Sequence, residues 1–267
     1  MLESLDKTKP YAYNIDGNLK DLKKITNHDL YLEYLKVLND SEINIYVTGD
    51  IDFEKVEKLF KDNIKFPGNN KKYRDIFITN TINSEMKMIV EKTNNVQSKL
   101  SIGCKIDNPN KKILYPLFLY NVILGASTKS RLFLNVREKL SYAYYINSSI
   151  TLTDNVLVIN SGIDKKNLMN VINEIKKEMD DLKKGNITDE EVETAKKTYL
   201  GSSQALFDNL SNLVEAISGF DTFGVDTYLK RVNEIKKVTK EDIIEVAQLI
   251  HFDTVFLLEE GDKNEEN

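Results

Sequence analysis

A nine-residue pattern occurs twice in this chain, once near its start and once near its end. Residues 22–30 are Leu-Lys-Lys-Ile-Thr-Asn-His-Asp-Leu, and residues 235–243 are Ile-Lys-Lys-Val-Thr-Lys-Glu-Asp-Ile. In each copy a threonine caps an amphipathic helix and an aspartate follows three positions later, where it complements the positive helix end. Each helix leads to a short strand that ends in Gly-Asp, at 43–50 and at 254–262. The pattern indicates an internal duplication.

The two copies are preceded by very different lengths of chain. About 150 residues of regular pattern precede the second copy, whereas only about 20 precede the first. We therefore expect residues 1–70 to be the C-terminal tail of a first domain and residues 71–267 to be a complete second domain. A polar linker with helix-stopping Pro and Gly, 66–72, separates them. On this interpretation the chain is a piece of a larger protein.

The second part of the chain predicts strands and helices in a fixed order. Alternating apolar residues predict strands near 86–94, 98–106, 142–151 and 155–161. Helical spacing predicts helices near 113–124, 129–139, 165–184, 189–207, 209–221 and 226–236, before the repeated helix and strand. This order predicts an α+β fold, an antiparallel sheet backed by helices on one face.

Composition excludes some partners. The formal net charge of −5 argues against a nucleic-acid partner, because phosphate binding needs a basic surface. The chain has neither a stretch apolar enough to cross a membrane nor an N-terminal signal-peptide pattern, so we expect a cytoplasmic protein without a membrane partner. The one cysteine, Cys104, lies in the alternating run 100–106, which predicts a buried structural thiol.

One long motif resembles a known family. Residues 124–144 contain a Leu-Gly turn, then Ser-Arg-Leu-Phe, then Arg-Glu-Lys, and finally Ala-Tyr. This order resembles the C-terminal domain of insulinase-type zinc peptidases, the M16 family, and most resembles the bacterial YmfF-like members that lack the metal motif. The resemblance covers residues 20–262. It implies a fold of the LuxS/MPP-like metallohydrolase type, present as one partial and one complete copy.

Active members of that family hold zinc on a His-x-x-Glu-His helix of their first domain. This chain has two histidines, His28 and His251, and neither has a histidine or glutamate partner at that spacing. We therefore expect no catalytic residue, metal site or cofactor in this chain and no zinc hydrolysis by the chain alone. Zinc is expected only in the missing domain or in a partner subunit.

The resemblance also implies a substrate-binding pair. Family members supply an arginine and, seven residues later, a tyrosine that hold the substrate backbone and the developing oxyanion. These positions correspond to Arg137 and Tyr144, with Ser141-Tyr142 in place of the usual Gly-Leu between them. The alternative is that Arg137 caps its own helix and Tyr144 packs on a strand. Arg131 is interpreted as a structural ion-pair partner, and Tyr142 and Tyr145 as packing residues.

Two functions therefore compete. In the first, the chain binds a peptide substrate and forms part of a chamber closed by a second M16-type half or subunit. In the second, it is a non-catalytic structural or assembly subunit that pairs with an active M16 partner and has lost peptide binding. A nucleic-acid-binding module does not fit the charge or the strand pattern.

Overall fold

The alternating run at 98–106 forms the central strand of a five-stranded sheet. The computed structural model describes residues 1–65, 78–83, 85–93, 97–107, 113–223 and 226–260. Its strands are β1 (Lys87–Thr93), β2 (Ser98–Ile106), β3 (Ala143–Thr151), β4 (Val156–Ile163) and β5 (Ile250–Glu260), in the sheet order β1-β5-β2-β4-β3. The predicted linker 66–72 and the second Gly-Asp, at 261–262, lie outside the described residues.

The α+β class is confirmed, but the sheet is mixed and not antiparallel throughout. Strand β2 is antiparallel to both β4 and β5, and β3 is antiparallel to β4. Strand β1 is parallel to β5. The cause is topological: the chain reverses direction between β1 and β2, and β5 then enters between them antiparallel to β2, so β1 and β5 run the same way.

The helices of the described residues are α1 (Leu2–Leu5), α2 (Leu19–Leu22), α3 (Asn27–Asp40), α4 (Phe53–Asn63), α5 (Leu114–Leu124), α6 (Leu168–Lys183), α7 (Asp189–Ala205), α8 (Leu210–Phe223), α9 (Tyr228–Lys237) and α10 (Lys240–Gln248). The helices from α5 onward follow the predicted order with small shifts at their ends, and the short helices α1 and α2 were not predicted. The segment predicted as a helix near 129–139 is a π-helix over Phe133–Lys139. No helix in the described ranges combines the length and low charge that crossing a bilayer requires.

Contacts divide the chain into two compact units. Unit 1 contains residues 1–12, 77–203 and 228–267, and unit 2 contains residues 13–76 and 204–227. The division into a first-domain tail, 1–70, and a complete second domain, 71–267, stays a prediction.

The main core of unit 1 lies between one face of the sheet and the helices. Alternate residues of β2, namely Leu100, Ile102, Cys104 and Ile106, are buried there. The same cluster includes residues of β4, β5, α5, α6, α7 and α10, so these helices cover the same face of the sheet. The prediction for Cys104 is confirmed, since it is fully buried and burial raises the pKa of its thiol to about 12.

The opposite face of the sheet is partly covered by residues 1–12. Leu5 and Tyr11 pack with Val156 in a second cluster, and a side chain at Gly103 would meet Met1 and Leu5. Beneath this segment Lys105 and Asp253 are almost fully buried, with their charged atoms 3.0 Å apart. The strand residue Lys105 therefore faces the protein interior on this side of the sheet as well.

Unit 2 contains helices whose apolar side chains remain largely exposed. Helices α3 and α4 have no buried residue, and Leu30, Tyr34 and Leu59 are more than half exposed. The strand predicted at 43–50 is not formed. Residues 42–48 have no regular secondary structure. A strand needs a neighbour for its backbone hydrogen bonds, and no described strand pairs with this segment.

Both predicted helix caps of the repeat are confirmed. The side chain of Thr26 accepts from the backbone N–H of Asp29, and Thr239 does the same for Asp242. Each aspartate carboxylate in turn accepts from its threonine's backbone N–H, at 3.0 Å and 2.8 Å. The two copies therefore begin their helices in the same way, as the sequence pattern predicts.

The Leu-Gly turn after α5 gives a testable packing constraint. A Cβ atom at Gly125 would lie 2.9 Å from the backbone nitrogen of Ser148. We expect Gly125→Ala to lower the free energy of unfolding by about 1–3 kcal/mol, because strand β3 would have to move. Gly201→Ala is the control: its Cβ would meet nothing within 4 Å. Since alanine is favoured over glycine inside helix α7, we expect that variant to be slightly more stable. Urea denaturation of both variants tests this, and equal losses would contradict it.

Candidate functional site

Arg137 and Tyr144 lie on either side of an irregular junction between the π-helix and strand β3. The Leu140 N–H donates to the carbonyl of Asn135 at 3.0 Å, a five-residue spacing, and the Tyr142 N–H donates to Val136 at 2.9 Å. Between these bonds Ser141 has φ of 53°. That left-handed conformation favours glycine, the residue that the resemblance implies at this position, and Ser141 adopts it nonetheless.

A β-bulge at the start of β3 then sets the position of Tyr144. Ala143 pairs with Ile163 and Tyr145 pairs with Gly162, so Tyr144 is the extra residue on its strand. A bulge turns one side chain away from the regular alternation of the strand. A π-helix, a left-handed serine and a bulge thus occur within twelve residues, 133–144, and irregularities of this kind are frequent at functional sites.

The side chain of Tyr144 is exposed and hydrogen-bonded. It is 58% exposed, and its hydroxyl donates to Oδ1 of Asp164 at 2.8 Å. That hydrogen bond, together with the negative charge of Asp164, raises the pKa of the Tyr144 phenol above its ordinary value. Whether Tyr144 binds a substrate or has only a structural role on its strand stays a prediction.

Arg137 lies in the last turn of the π-helix. Its guanidinium carbon is 4.7 Å from the centre of the Phe133 ring, and its Nε is 3.7 Å from Glu138. The side chain is 41% exposed. The structure places Arg137 and Tyr144 at the same helix–strand junction, with each side chain held by its own partners.

The neighbouring residues have the structural roles predicted for them. Tyr142 packs against the main core, and Tyr145 lies over Gly162. Arg131 forms ion pairs with Glu191, at 2.7 Å, and with Glu178, at 3.7 Å, and it also donates to the carbonyl of Asn186. Its side chain is only 13% exposed. Arg131 is therefore a structural ion-pair partner, as predicted.

The described residues do not fit a zinc ion. They contain no group of three or more His, Cys, Asp and Glu side chains that could hold a metal. His28 lies in the first turn of α3, in unit 2, and His251 lies in β5, in unit 1. Cys104 is buried in the core as a thiol whose pKa is raised. No step of zinc chemistry can be assigned to these side chains.

The sequence reasoning missed one residue of this site, Asp164. It follows β4 and precedes the 3-10 turn Lys165–Asn167, where the sequence suggested only the start of a helix. Its bond to Tyr144 depends on the pairing of β3 with β4, which the local pattern does not reveal.

Comparison with known proteins finds a matching family and similar bacterial proteins. A family model described as "Peptidase M16 inactive domain" matches residues 24–199. The chain is 28% identical over 97% of its length to the probable inactive metalloprotease YmfF of Bacillus subtilis. It is 22% identical over 88% of its length to the non-peptidase homolog YmxG of Helicobacter pylori. These names agree with the prediction that this chain holds no zinc.

The fold is found in a solved structure as well. A conserved protein from Enterococcus faecalis V583 has a TM-score of 0.83 and 26% identity, and the match covers 99% of this chain. The chain spans 63% of that protein, 61% of the YmfF protein and 55% of the YmxG protein. The resemblance to the YmfF-like members is thereby confirmed. The chain belongs to the M16 family, as a homologue of its inactive peptidase domain.

Proposed function

We propose that this chain is the C-terminal, metal-free portion of an M16-type peptidase or peptidase-like subunit, and that it holds the backbone of a peptide through Arg137 and Tyr144. Proteolysis, where it occurs, takes place at a zinc site outside this chain. The observation that carries the proposal is the irregular junction 133–144, which presents an arginine and a tyrosine on an exposed surface.

The two side chains suit a peptide backbone. A guanidinium has a planar set of donors for a carbonyl oxygen and cannot lose its charge near neutral pH. A phenol hydroxyl has one hydrogen to donate and oxygen lone pairs that accept hydrogen bonds. The Phe133 ring beside Arg137 supports the guanidinium without using its donors, because a cation is attracted to the ring face.

The alternative is a structural or assembly subunit, and a second observation fits it as well as the first function. Helices α3 and α4 bury no residue, and large apolar side chains such as Tyr31, Leu32 and Phe53 are more than half exposed. Exposed apolar surface of this kind is typical of an interface. We propose that the rest of a first M16-type domain covers it, and that the completed half pairs with a second M16-type half or subunit. Both functions need this surface, so it does not separate them.

Peptide binding separates the two functions. A fluorescein-labelled pool of random twelve-residue peptides is titrated with wild-type chain, Arg137→Ala and Tyr144→Phe, and anisotropy is recorded. We expect Arg137→Ala to weaken binding about 10-fold or more, because a charged donor is lost. We expect Tyr144→Phe to weaken it about 3- to 10-fold, because one neutral hydrogen bond is lost.

Matched controls come from the same junction. Lys139→Ala removes an exposed cation two residues from Arg137, and Tyr145→Phe removes the hydroxyl of the adjacent tyrosine. We expect neither to change affinity by more than about 2-fold. Equal binding by all four variants and the wild type would remove the peptide site and favour the assembly role.

A further inference from the structure

The register of the sheet brings Asp164 next to Tyr144. Ala143 at the start of β3 pairs with Ile163 at the end of β4, and the bulged residue Tyr144 lies next to Ala143, so its long side chain reaches Asp164, which follows β4. The Tyr144 hydroxyl donates to Oδ1 of Asp164 at 2.8 Å, and the second carboxylate oxygen is 3.8 Å from Nζ of Lys166.

Asp164 occupies a helix-capping position without capping. It is the N-cap of the 3-10 turn Lys165–Asn167 and has an extended backbone, φ −76° and ψ 137°, yet its side chain makes no cap hydrogen bond. An aspartate at this position ordinarily accepts from a backbone N–H one turn ahead. Here the Asn167 N–H bonds to the backbone carbonyl of Asp164 at 2.9 Å. The carboxylate is therefore available to the phenol of Tyr144.

A phenol has only one hydrogen to donate. While that hydrogen is bonded to Asp164, Tyr144 has only oxygen lone pairs for a ligand, and these accept hydrogen bonds. This hydrogen bond, with the negative charge of Asp164, raises the pKa of the phenol above its ordinary value. Arg137 has the opposite character, because a guanidinium donates and never accepts.

We infer that Asp164 is a positioning residue that takes the phenolic hydrogen of Tyr144, so that Tyr144 accepts from a backbone N–H of the bound peptide while Arg137 donates to a carbonyl. The inference rests on the proposed peptide site and specifies its chemistry. Tyr144 then accepts a hydrogen bond from the peptide in its ground state, whereas the resemblance to active family members implies that the tyrosine donates to an oxyanion.

Two measurements on the full chain test the inference. The first follows Tyr144 by NMR in protein labelled with ¹³C at the tyrosine ζ carbon, where the signal missing from Tyr144→Phe identifies it. We expect the phenol pKa to fall toward its ordinary value in Asp164→Ala and in Asp164→Asn, which keeps the side-chain shape. An unchanged pKa in both variants would overturn the inference whatever the peptide result.

The second measurement repeats the titration with the labelled peptide pool. We expect Asp164→Ala to weaken binding about as much as Tyr144→Phe, roughly 3- to 10-fold, and the combined variant to be no weaker than either alone. Tighter binding by Asp164→Ala would show that Tyr144 must donate to the peptide, and additive losses would show that the two residues act separately. Either result would overturn the inference and leave the proposed peptide site standing. If Tyr144→Phe binds as the wild type does but Arg137→Ala does not, the acceptor role fails alone; if both bind as the wild type does, the proposed peptide site fails with it.

Discussion

Lys105→Met is expected to lower the free energy of unfolding by about 3–5 kcal/mol, a large part of the stability of an ordinary domain. Lys105 and Asp253 are 1% and 2% exposed, and Nζ of Lys105 also donates to the carbonyl of Thr81 at 3.0 Å. Removal of the lysine leaves the Asp253 carboxylate buried, with the neutral donors of Asn83 and Thr254 as its partners among the residues that the structure describes. A buried charge without a counter-charge is costly because the interior solvates it poorly. Urea denaturation followed by circular dichroism measures the loss.

Two further variants separate the buried charge from other effects of the substitution. Lys105→Met combined with Asp253→Asn removes the uncompensated charge, so we expect it to recover part of the lost stability. Lys61→Ala breaks the exposed pair of Lys61 and Glu57, whose side chains are 70% and 46% exposed. We expect it to lower the free energy of unfolding by less than about 1 kcal/mol. A loss from Lys105→Met no larger than that from Lys61→Ala would show that Lys105 and Asp253 are solvated in the protein.

Arg131→Met is expected to lower the free energy of unfolding by a similar amount, about 3–5 kcal/mol. Arg131 lies on the other side of the sheet from Lys105. Arg131 contacts two carboxylates, Glu178 and Glu191, and Glu178 is 6% exposed. Burial favours the neutral form of both carboxyls. At Glu191, hydrogen bonds from Arg131 and Thr188 outweigh burial, and the pKa lies below its ordinary value. For Glu178 burial prevails, and its pKa stays above the ordinary value.

The pH dependence distinguishes this ion-pair loss from lost packing. In the wild type, the lowered pKa of Glu191 gives stability that is present above the unfolded pKa and is lost as pH falls through the folded one. The raised pKa of Glu178 has the opposite effect. Without Arg131 we expect both pKa values to be raised, so the variant loses stability as pH rises through them. Its deficit should therefore be larger near pH 7 than near pH 4, about the ordinary carboxyl range.

A control on helix α6 accompanies this series. Lys177→Gln removes the partner of Glu174 from an exposed position, with the Lys177 side chain 60% exposed. We expect this variant to lower the free energy of unfolding by less than about 1 kcal/mol. A deficit of Arg131→Met that is the same at both pH values would indicate lost contacts of the arginine stem and not of its charge.

The sequence predicts local structure well where one pattern decides it. The alternation at 100–106 predicts β2 and the buried Cys104, and the two threonine caps predict where α3 and α10 begin. In each of these cases the determining contacts lie within a few residues or follow from the alternation of one strand.

Features that depend on distant parts of the chain are not predicted. The parallel pairing of β1 with β5 and the contact of Leu5 with Val156 need a register between remote segments. Lys105 on an alternating strand suggests a solvent-facing side chain, and only the cover by residues 1–12 and the partner Asp253 explain its burial. The bond between Tyr144 and Asp164 follows from the bulge and the strand register in the same way.

The reading frame immediately upstream of Met1 tests most directly whether this chain is the metal-free C-terminal portion of an M16-type subunit. We predict about 150 further in-frame codons, the length of one domain, that complete the first copy and cover α3 and α4. With His-x-x-Glu-His among them the parent protein carries the zinc site, and without it the zinc lies in a partner subunit. A stop codon directly before Met1 would contradict the account and leave a protein that acts by binding on its own.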